Sequence, residues 1–143
     1  MRDYGNVSPR FWIGATGKEL RGHPEAQVLA LYLMTSPHSN MIGVFHCPVL
    51  YMAHETGMTM EGASKALARL IEAGFCYYEE ASDTVFVLRM AAHQVGESLK
   101  AEDKRIKGLQ KYYENIQSPS IRARFLAIYS DAYSLHDVDA KAS

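Results

Sequence analysis

The segment that most constrains the fold of this chain runs over residues 48–74, where two helix patterns are separated by a tight turn. Pro48 suits the first position of a helix because its missing N–H would be unpaired there anyway. Gly57 can adopt the left-handed conformation that ends a helix, and Thr59 is a suitable N-cap for the next helix. Gly74 ends that second helix. The spacing predicts a helix-turn-helix.

The second helix is predicted to have one apolar side and to lead directly into a β-hairpin. Its apolar residues recur at helical spacing, at Ala63, Ala66, Leu67, Leu70 and Ile71. Residues 75–90 are rich in β-forming side chains and are interrupted once, at residues 80–83. A short strand within residues 41–47 would complete a three-stranded sheet. We therefore expect a winged helix-turn-helix, a mainly α fold with a small antiparallel sheet.

Further helices are predicted on both sides of this unit. Residues 26–34, after Pro24, are almost continuously apolar, which indicates a central helix. Residues 98–116 show an amphipathic helical pattern. Ser118-Pro119 has the form of an N-cap and first turn, and it predicts a last helix to about residue 135.

These elements suggest two parts. We expect a winged-helix domain with an N-terminal extension over residues 1–92 and a helical extension over residues 93–143. The extension either packs on the first domain or forms a homodimer, the commonest kind of oligomer. Residues 137–143 are expected to fray.

Composition narrows the class of protein. Of the 143 residues, 48% are hydrophobic and 22% are charged, which favours a folded core over disorder. The net charge of −1 gives no overall basic footprint of the kind that nucleic-acid binding usually shows. Two cysteines are too few for a disulfide framework, and no apolar run is long enough to cross a bilayer. We expect a cytoplasmic protein without membrane association.

Motifs for catalysis are missing from the sequence. It contains no Gly-rich phosphate loop, no HExxH, no CxxC and no nucleophile elbow, so we predict neither an enzyme nor a cofactor. His46, Cys47 and Cys76 would be the residues of a conceivable metal site. Their spacing matches no zinc pattern, and cysteine in a sheet is usually a small buried apolar residue, so we predict no metal site.

The outward side of the second helix is the candidate DNA-binding surface. If its Ala/Leu side is buried, the residues predicted to contact DNA are Thr59, Met60, Ser64, Lys65 and Arg69. Lys65 and Arg69 lie one turn apart and could reach phosphate groups or guanine. The alternative is an ordinary solvated helix in which Glu61 pairs with Lys65.

The predicted wing is acidic. Residues 58–92 contain three cations against five anions, and the hairpin turn includes Glu79, Glu80 and Asp83. Because phosphate binding depends on cations that release counterions, this turn either lies away from DNA or forms a surface for a protein partner. The third reading is a solvated turn that keeps a sheet edge soluble.

Positive charge is concentrated after the wing. Residues 98–112 contain five cations against two anions, and Lys104, Lys107 and Lys111 share one helical side. These lysines could contact DNA phosphates beside the main surface. The alternative is the solvent side of an amphipathic helix.

Three stretches together carry a resemblance to a family: MRDYGNVSPRFWIGATGKELR, PEAQVLALYLMTSPHSNMIGVF, and the helix-turn-helix with YMAHETGM and ALARLIEAGFCYYE. They resemble the N-terminal winged-helix domain of bacteriophage and prophage replication proteins, which are replisome organisers and helicase-loader-like proteins. The resemblance implies a bacterial host cell, a host replication protein as a partner, and binding of double-stranded origin DNA. It assigns the DNA contact to Thr59, Ser64, Lys65 and Arg69.

Two functional hypotheses follow. The first is a DNA-binding module, in phage replication initiation or else in transcription control. The second is a protein-interaction module on the same scaffold, such as a phage-encoded inhibitor of a host nucleic-acid machine that presents Glu79, Glu80 and Asp83.

Overall fold

The computed structural model of the protein describes residues 1–139, and their backbone contacts divide the chain into two compact units. The first unit is Met1–Gln94, and the second begins at Val95. The described residues form eight helices and one three-stranded antiparallel sheet, so the predicted fold class, mainly α with a small antiparallel sheet, is confirmed.

The first unit has the element order of a winged helix-turn-helix. Its helices are α1 (Arg10–Ile13), α2 (Ala15–Glu19), α3 (Pro24–Thr35), α4 (Val49–Thr56), α5 (Met60–Glu72) and α6 (Met90–Gln94). Its strands are β1 (Val44–His46), β2 (Cys76–Glu79) and β3 (Thr84–Val87). The helix-turn-helix is the pair α4 and α5, and the wing is the hairpin β2–β3.

The strands pair antiparallel in the order β1-β3-β2. Val44 lies opposite Phe86 in one ladder, and Cys76 lies opposite Val87 in the other. The central strand β3 is buried over Val85, Phe86 and Val87. Both of its edges are paired, and Val85 and Val87 belong to the main core. The wing is therefore fixed to the body of the unit by β1.

The helix-turn-helix forms as its glycines and its cap predict. Gly57 ends α4 with a φ of 79° and Gly74 follows α5 with a φ of 77°, both in the left-handed region. The Thr59 hydroxyl accepts a hydrogen bond from the Gly62 N–H at 2.9 Å and caps α5. Pro48 is not the first helical residue as predicted; it is the N-cap of α4, with an extended ψ of 153°.

Helix α5 packs its small residues against α3. Ala63, Ala66, Leu67 and Leu70 are buried, and the α3 residues Ala26, Leu29, Ala30, Leu33 and Met34 are buried with them. The prediction that Ile71 belongs to this buried side is wrong, since its side chain is 41% exposed. The buried side of the helix runs from Leu67 to Leu70, about one turn later. Ile71, the next residue, is rotated away from that side and lies at its edge.

A polar network joins α4 to α3 and to the loop between α3 and β1. The Tyr32 hydroxyl donates a hydrogen bond to the Glu55 carboxylate, and a ring nitrogen of His38 lies 2.9 Å from the same carboxylate. The hydrogen bond from Tyr32, and secondly the bond to His38, lower the pKa of Glu55 below its ordinary value of 4.5. Burial, and then the bond to Glu55, raise the pKa of Tyr32, so its hydroxyl stays protonated.

The second unit contains α7 (Arg105–Glu114) and α8 (Pro119–Tyr133). The helix predicted over residues 98–116 begins later, at Arg105. The Asp103 carboxylate accepts a hydrogen bond from the Arg105 backbone N–H at 2.9 Å. Further back, the Leu99 backbone N–H donates to the Ala132 carbonyl oxygen at 2.9 Å. These bonds hold the preceding backbone outside the helix. The predicted cap is confirmed: the Ser118 hydroxyl accepts from the Ile121 N–H at 3.1 Å.

An aromatic core joins the two helices of this unit. The Tyr129 and Tyr133 rings stack with centroids 5.2 Å apart, and Tyr113 stacks on Phe125 at 6.3 Å. Residues 137–139 are bound rather than frayed, since Tyr113 donates to Asp137 and Arg122 pairs with Asp139 at 3.0 Å. Residues 140–143, the rest of the stretch expected to fray, lie outside the described residues.

Replacing Leu70 by Ala should lower the free energy of unfolding by about 2–5 kcal/mol, because Leu70 is fully buried and its removal leaves a cavity against α3. The matched control is Ile71→Ala on the next residue, which should cost less than about 1 kcal/mol because its side chain is exposed. Urea denaturation measures both. Equal losses would contradict the observed orientation of α5.

Replacing Glu55 by Gln should destabilise the protein at neutral pH, since the lowered pKa shows that folding favours the ionised carboxylate. That contribution is fully present above pH 4.5 and is lost as the pH falls through the lowered pKa of the folded state. The difference in stability between the native protein and Glu55→Gln should therefore shrink below this pH. A difference that grows as the pH falls below 4.5 would contradict the assignment.

Candidate nucleic-acid interface

The exposed side of α5 is the candidate interface. Burial of the Ala/Leu side leaves the predicted DNA-contacting residues of this helix on one open surface: Thr59, Met60, Ser64, Lys65 and Arg69 are all exposed. The structure thus brings these five residues together. Glu61 and Glu72, the acidic residues of the same helix, are exposed beside them.

The ion pairing on this surface differs from the predicted alternative. Arg69 pairs with Glu72 at 2.8 Å, whereas within residues 1–139 no ion pair joins Glu61 to Lys65. Both partners of the observed pair are well exposed, with 43% and 72% of their side-chain surface accessible, so the pair is weak. Arg69 can therefore leave Glu72 at little cost, so both exposed cations of α5, Lys65 and Arg69, are available to an anion.

One edge of α5 borders the start of α3. A concave surface of about 460 Å³ lies there, lined by Lys65 and Arg69 on α5 and by residues 22–26. Glu25 lies close to the first turn of α5, since a Cβ built at Gly62 would be 3.3 Å from a Glu25 carboxylate oxygen. This carboxylate occupies the end of α5 that attracts anions through the helix dipole. The groups of this concave surface that can attract an anion are therefore the side chains of Lys65 and Arg69 rather than the helix terminus.

The other edge of α5 forms an apolar groove with the wing. We call it the wing groove, and it has a volume of about 500 Å³. Its lining consists of Pro48, Val49, Leu50, Met60, Ser64, Leu67, Ala68, Ile71, Tyr78, Glu80 and Asp83. Two of the predicted DNA-contacting residues, Met60 and Ser64, thus border a surface that is mainly apolar.

The acidic wing turn is connected to the body of the unit through Tyr78. The Tyr78 hydroxyl lies 3.1 Å from an Asp83 carboxylate oxygen and 3.1 Å from the Cys47 carbonyl oxygen, so it connects the turn to the start of α4. Burial, and then the bond to Asp83, raise the pKa of Tyr78. Glu79 accepts a hydrogen bond from the Ser82 hydroxyl, whereas Glu80 is exposed. The turn presents negative charge at the edge of the wing groove.

The predicted lysines of the second unit lie on the solvent side of α7. Lys104, Lys107 and Lys111 are exposed, and Lys104 occupies the N-cap position. Arg105 is engaged with Asp103 at 2.9 Å, and the hydrogen bonds from Arg105 lower the pKa of Asp103 to about 2. The cationic surface of α7 therefore consists of the three lysines and not of the arginine.

The residues of the conceivable metal site do not converge on an open position. Cys47 and Cys76 are buried, and burial raises the pKa of their thiols to about 11 and about 12, so both stay protonated at neutral pH. His46 is exposed, with its ring nitrogen 3.2 Å from the Ser82 carbonyl oxygen. In the described part of the chain, no three His, Cys, Asp or Glu side chains are grouped so that they could hold a metal ion.

Sequence reasoning missed Leu50, Ile71 and Tyr78 of the wing groove. A signal was present for Tyr78, because strand alternation places it on the same side of β2 as the buried Cys76 and hence towards the helices. Leu50 carried no such signal. Helix α4 buries Met52 and Ala53, and Leu50 lies on its other, exposed side. A helix of eight residues is too short for the apolar periodicity of its sequence to show which side is buried.

Comparison of the chain with protein families, with curated proteins and with solved structures finds no match in any of the three. Within residues 1–139, no helix combines the length and the apolar character needed to cross a membrane.

Proposed function

We propose that this protein is a non-enzymatic, double-stranded DNA-binding module that places the exposed side of α5 in the major groove. The observation that carries the proposal is the open surface of α5, on which the exposed Thr59 cap, Ser64 and Lys65 lie together within a helix-turn-helix. A helix of this width fits the major groove of B-DNA. The resemblance to phage replication proteins supports replication initiation as the process that it serves.

The side chains of α5 suggest which of them would contact DNA phosphates and which would contact base edges. Lys65 and Arg69 are separated by about 6 Å along the helix axis, a spacing that lets both reach one DNA strand. Ser64 can donate to or accept from a base edge, since its hydroxyl has both capacities. Lys104, Lys107 and Lys111 stay a proposed second set of phosphate contacts.

The acidic wing limits the docking geometry. Glu80 and Asp83 would repel phosphates, so the DNA should approach the Lys65 edge of α5 and leave the wing turn outside the duplex. Protein–DNA contact would then be made by the helix without the wing.

A second candidate function is a protein-interaction module, such as an inhibitor of a host nucleic-acid machine. The acidic turn with Glu79, Glu80 and Asp83 favours it, because negative charge on a paired hairpin suits a basic protein surface. This candidate predicts no duplex binding at moderate salt, which separates it from the first.

Replacing Lys65 by Ala should weaken binding to a random-sequence duplex and lower the slope of log Kd against log salt by about 1, because one phosphate contact is lost. Fluorescence anisotropy over a salt series measures the slope. Lys65→Arg keeps the cation and is the matched control, with an expected slope close to the native value.

An unchanged slope in Lys65→Ala would contradict the assignment of α5 as the DNA-contacting helix. If the slope falls instead when Lys104, Lys107 and Lys111 are replaced by Ala, the phosphate contact belongs to the second unit. Absence of any duplex binding by the native protein would refute the proposed function itself.

Replacing Glu72 by Gln should strengthen duplex binding by roughly twofold to fivefold, since it releases Arg69 and removes a negative charge from the interface. The control is Glu19→Gln on α2, which removes the same charge outside α5 and should have a smaller effect. The same anisotropy assay at low salt compares the two variants. Weaker binding in Glu72→Gln would show that Arg69 needs its partner and does not contact DNA.

A further inference from the structure

The wing groove exposes an unusual amount of apolar side chain for a surface next to a recognition helix. Leu50 is 61% exposed, Met60 50% and Ile71 41%, and all three line the same groove. Single exposed apolar residues are common on proteins, but a contiguous set with a polar border marks a binding surface. The groove therefore provides a floor for an apolar ligand surface.

Negative charge borders the groove on one side. Glu80 and Asp83 line it from the wing turn, and the lining contains no lysine or arginine. An Asp83 carboxylate oxygen lies 3.1 Å from the hydroxyl of Tyr78, which is itself part of the lining, so this charge lies at the groove. Such a border repels phosphate and attracts a cationic partner.

We propose that the wing groove binds an amphipathic helix of a partner protein, with an apolar ridge on the floor and lysine or arginine side chains facing Glu80 and Asp83. The negative charge of Glu80 and Asp83 favours a partner with basic side chains. The exposed apolar residues of the groove favour a partner helix that has a row of apolar side chains. The lining is made of side chains from α4, α5 and the hairpin rather than of unpaired strand backbone, which suits a helix more than an added strand.

This inference goes beyond the DNA-binding proposal and does not depend on it. Leu50, Ile71 and Glu80 lie outside the residues assigned to DNA contact, whereas Met60 and Ser64 belong to both surfaces. A bound partner helix would therefore cover part of the DNA-binding surface. The test is made without DNA, so that failure of one proposal leaves the other distinguishable.

Two synthetic helical peptides with the same leucine ridge, one flanked by lysines and the other by glutamates, test the inference against the full chain. The lysine peptide should bind about tenfold more tightly than the glutamate peptide in fluorescence anisotropy, and Glu80→Lys should abolish this preference. Equal affinity of the two peptides, or no binding of either, would overturn the inference.

Variants of the floor locate the binding. Leu50→Asp should abolish binding of the lysine peptide, and Ile71→Asp should do the same from the other side of the groove. Val28→Asp on α3 is the matched control, because Val28 is 48% exposed outside the groove and should leave the affinity unchanged. Far-ultraviolet circular dichroism confirms that each variant is folded. Retained binding in folded Leu50→Asp and Ile71→Asp would place the peptide elsewhere and refute the site.

Discussion

Burial of the Ala/Leu side of α5 against α3 is the interaction on which the rest of the first unit depends. Ala63, Ala66, Leu67 and Leu70 are buried in one core cluster with the inward side chains of α3, and the small alanines leave room for the two helices to pack. This packing fixes the rotation of α5 about its axis. Once the rotation is fixed, the side chains that face solvent are determined, and so are the two edges of the helix.

The two edges have different chemistry. The edge beside α3 has Lys65 and Arg69, and the edge beside the wing has exposed apolar side chains with Glu80 and Asp83 next to them. A DNA strand suits the first edge and a basic amphipathic helix suits the second. Because Met60 and Ser64 border the shared middle, occupation of one edge would restrict access to the other. The scaffold would then connect DNA binding to the presence of a partner.

Much of the fold could be predicted because its signals are local. Gly57 and Gly74 take left-handed conformations that few other residues adopt at low cost, and Thr59 binds a backbone N–H three residues later. The wing followed from β-forming residues broken by a polar turn. The start of α7 could not be predicted, since Asp103 binds the backbone locally and competes with the helix.

The site was only partly predictable. Helical spacing was sufficient to place Lys65 and Arg69 on the exposed side, but not to choose between ion pairs three and four residues apart, because that choice depends on rotamers. The wing groove combines residues from α4, α5 and the hairpin that are distant in sequence. Such a surface becomes visible only when the chain is folded.

The central claim is that α5 meets DNA through its exposed side. Titration of the ¹⁵N-labelled protein with a random-sequence duplex at low salt tests it most directly, because each backbone amide reports its own environment. If α5 contacts DNA in this way, the largest chemical-shift changes fall on the amides of Thr59, Ser64 and Lys65. Changes confined to other parts of the chain, with these three amides unmoved, would contradict it.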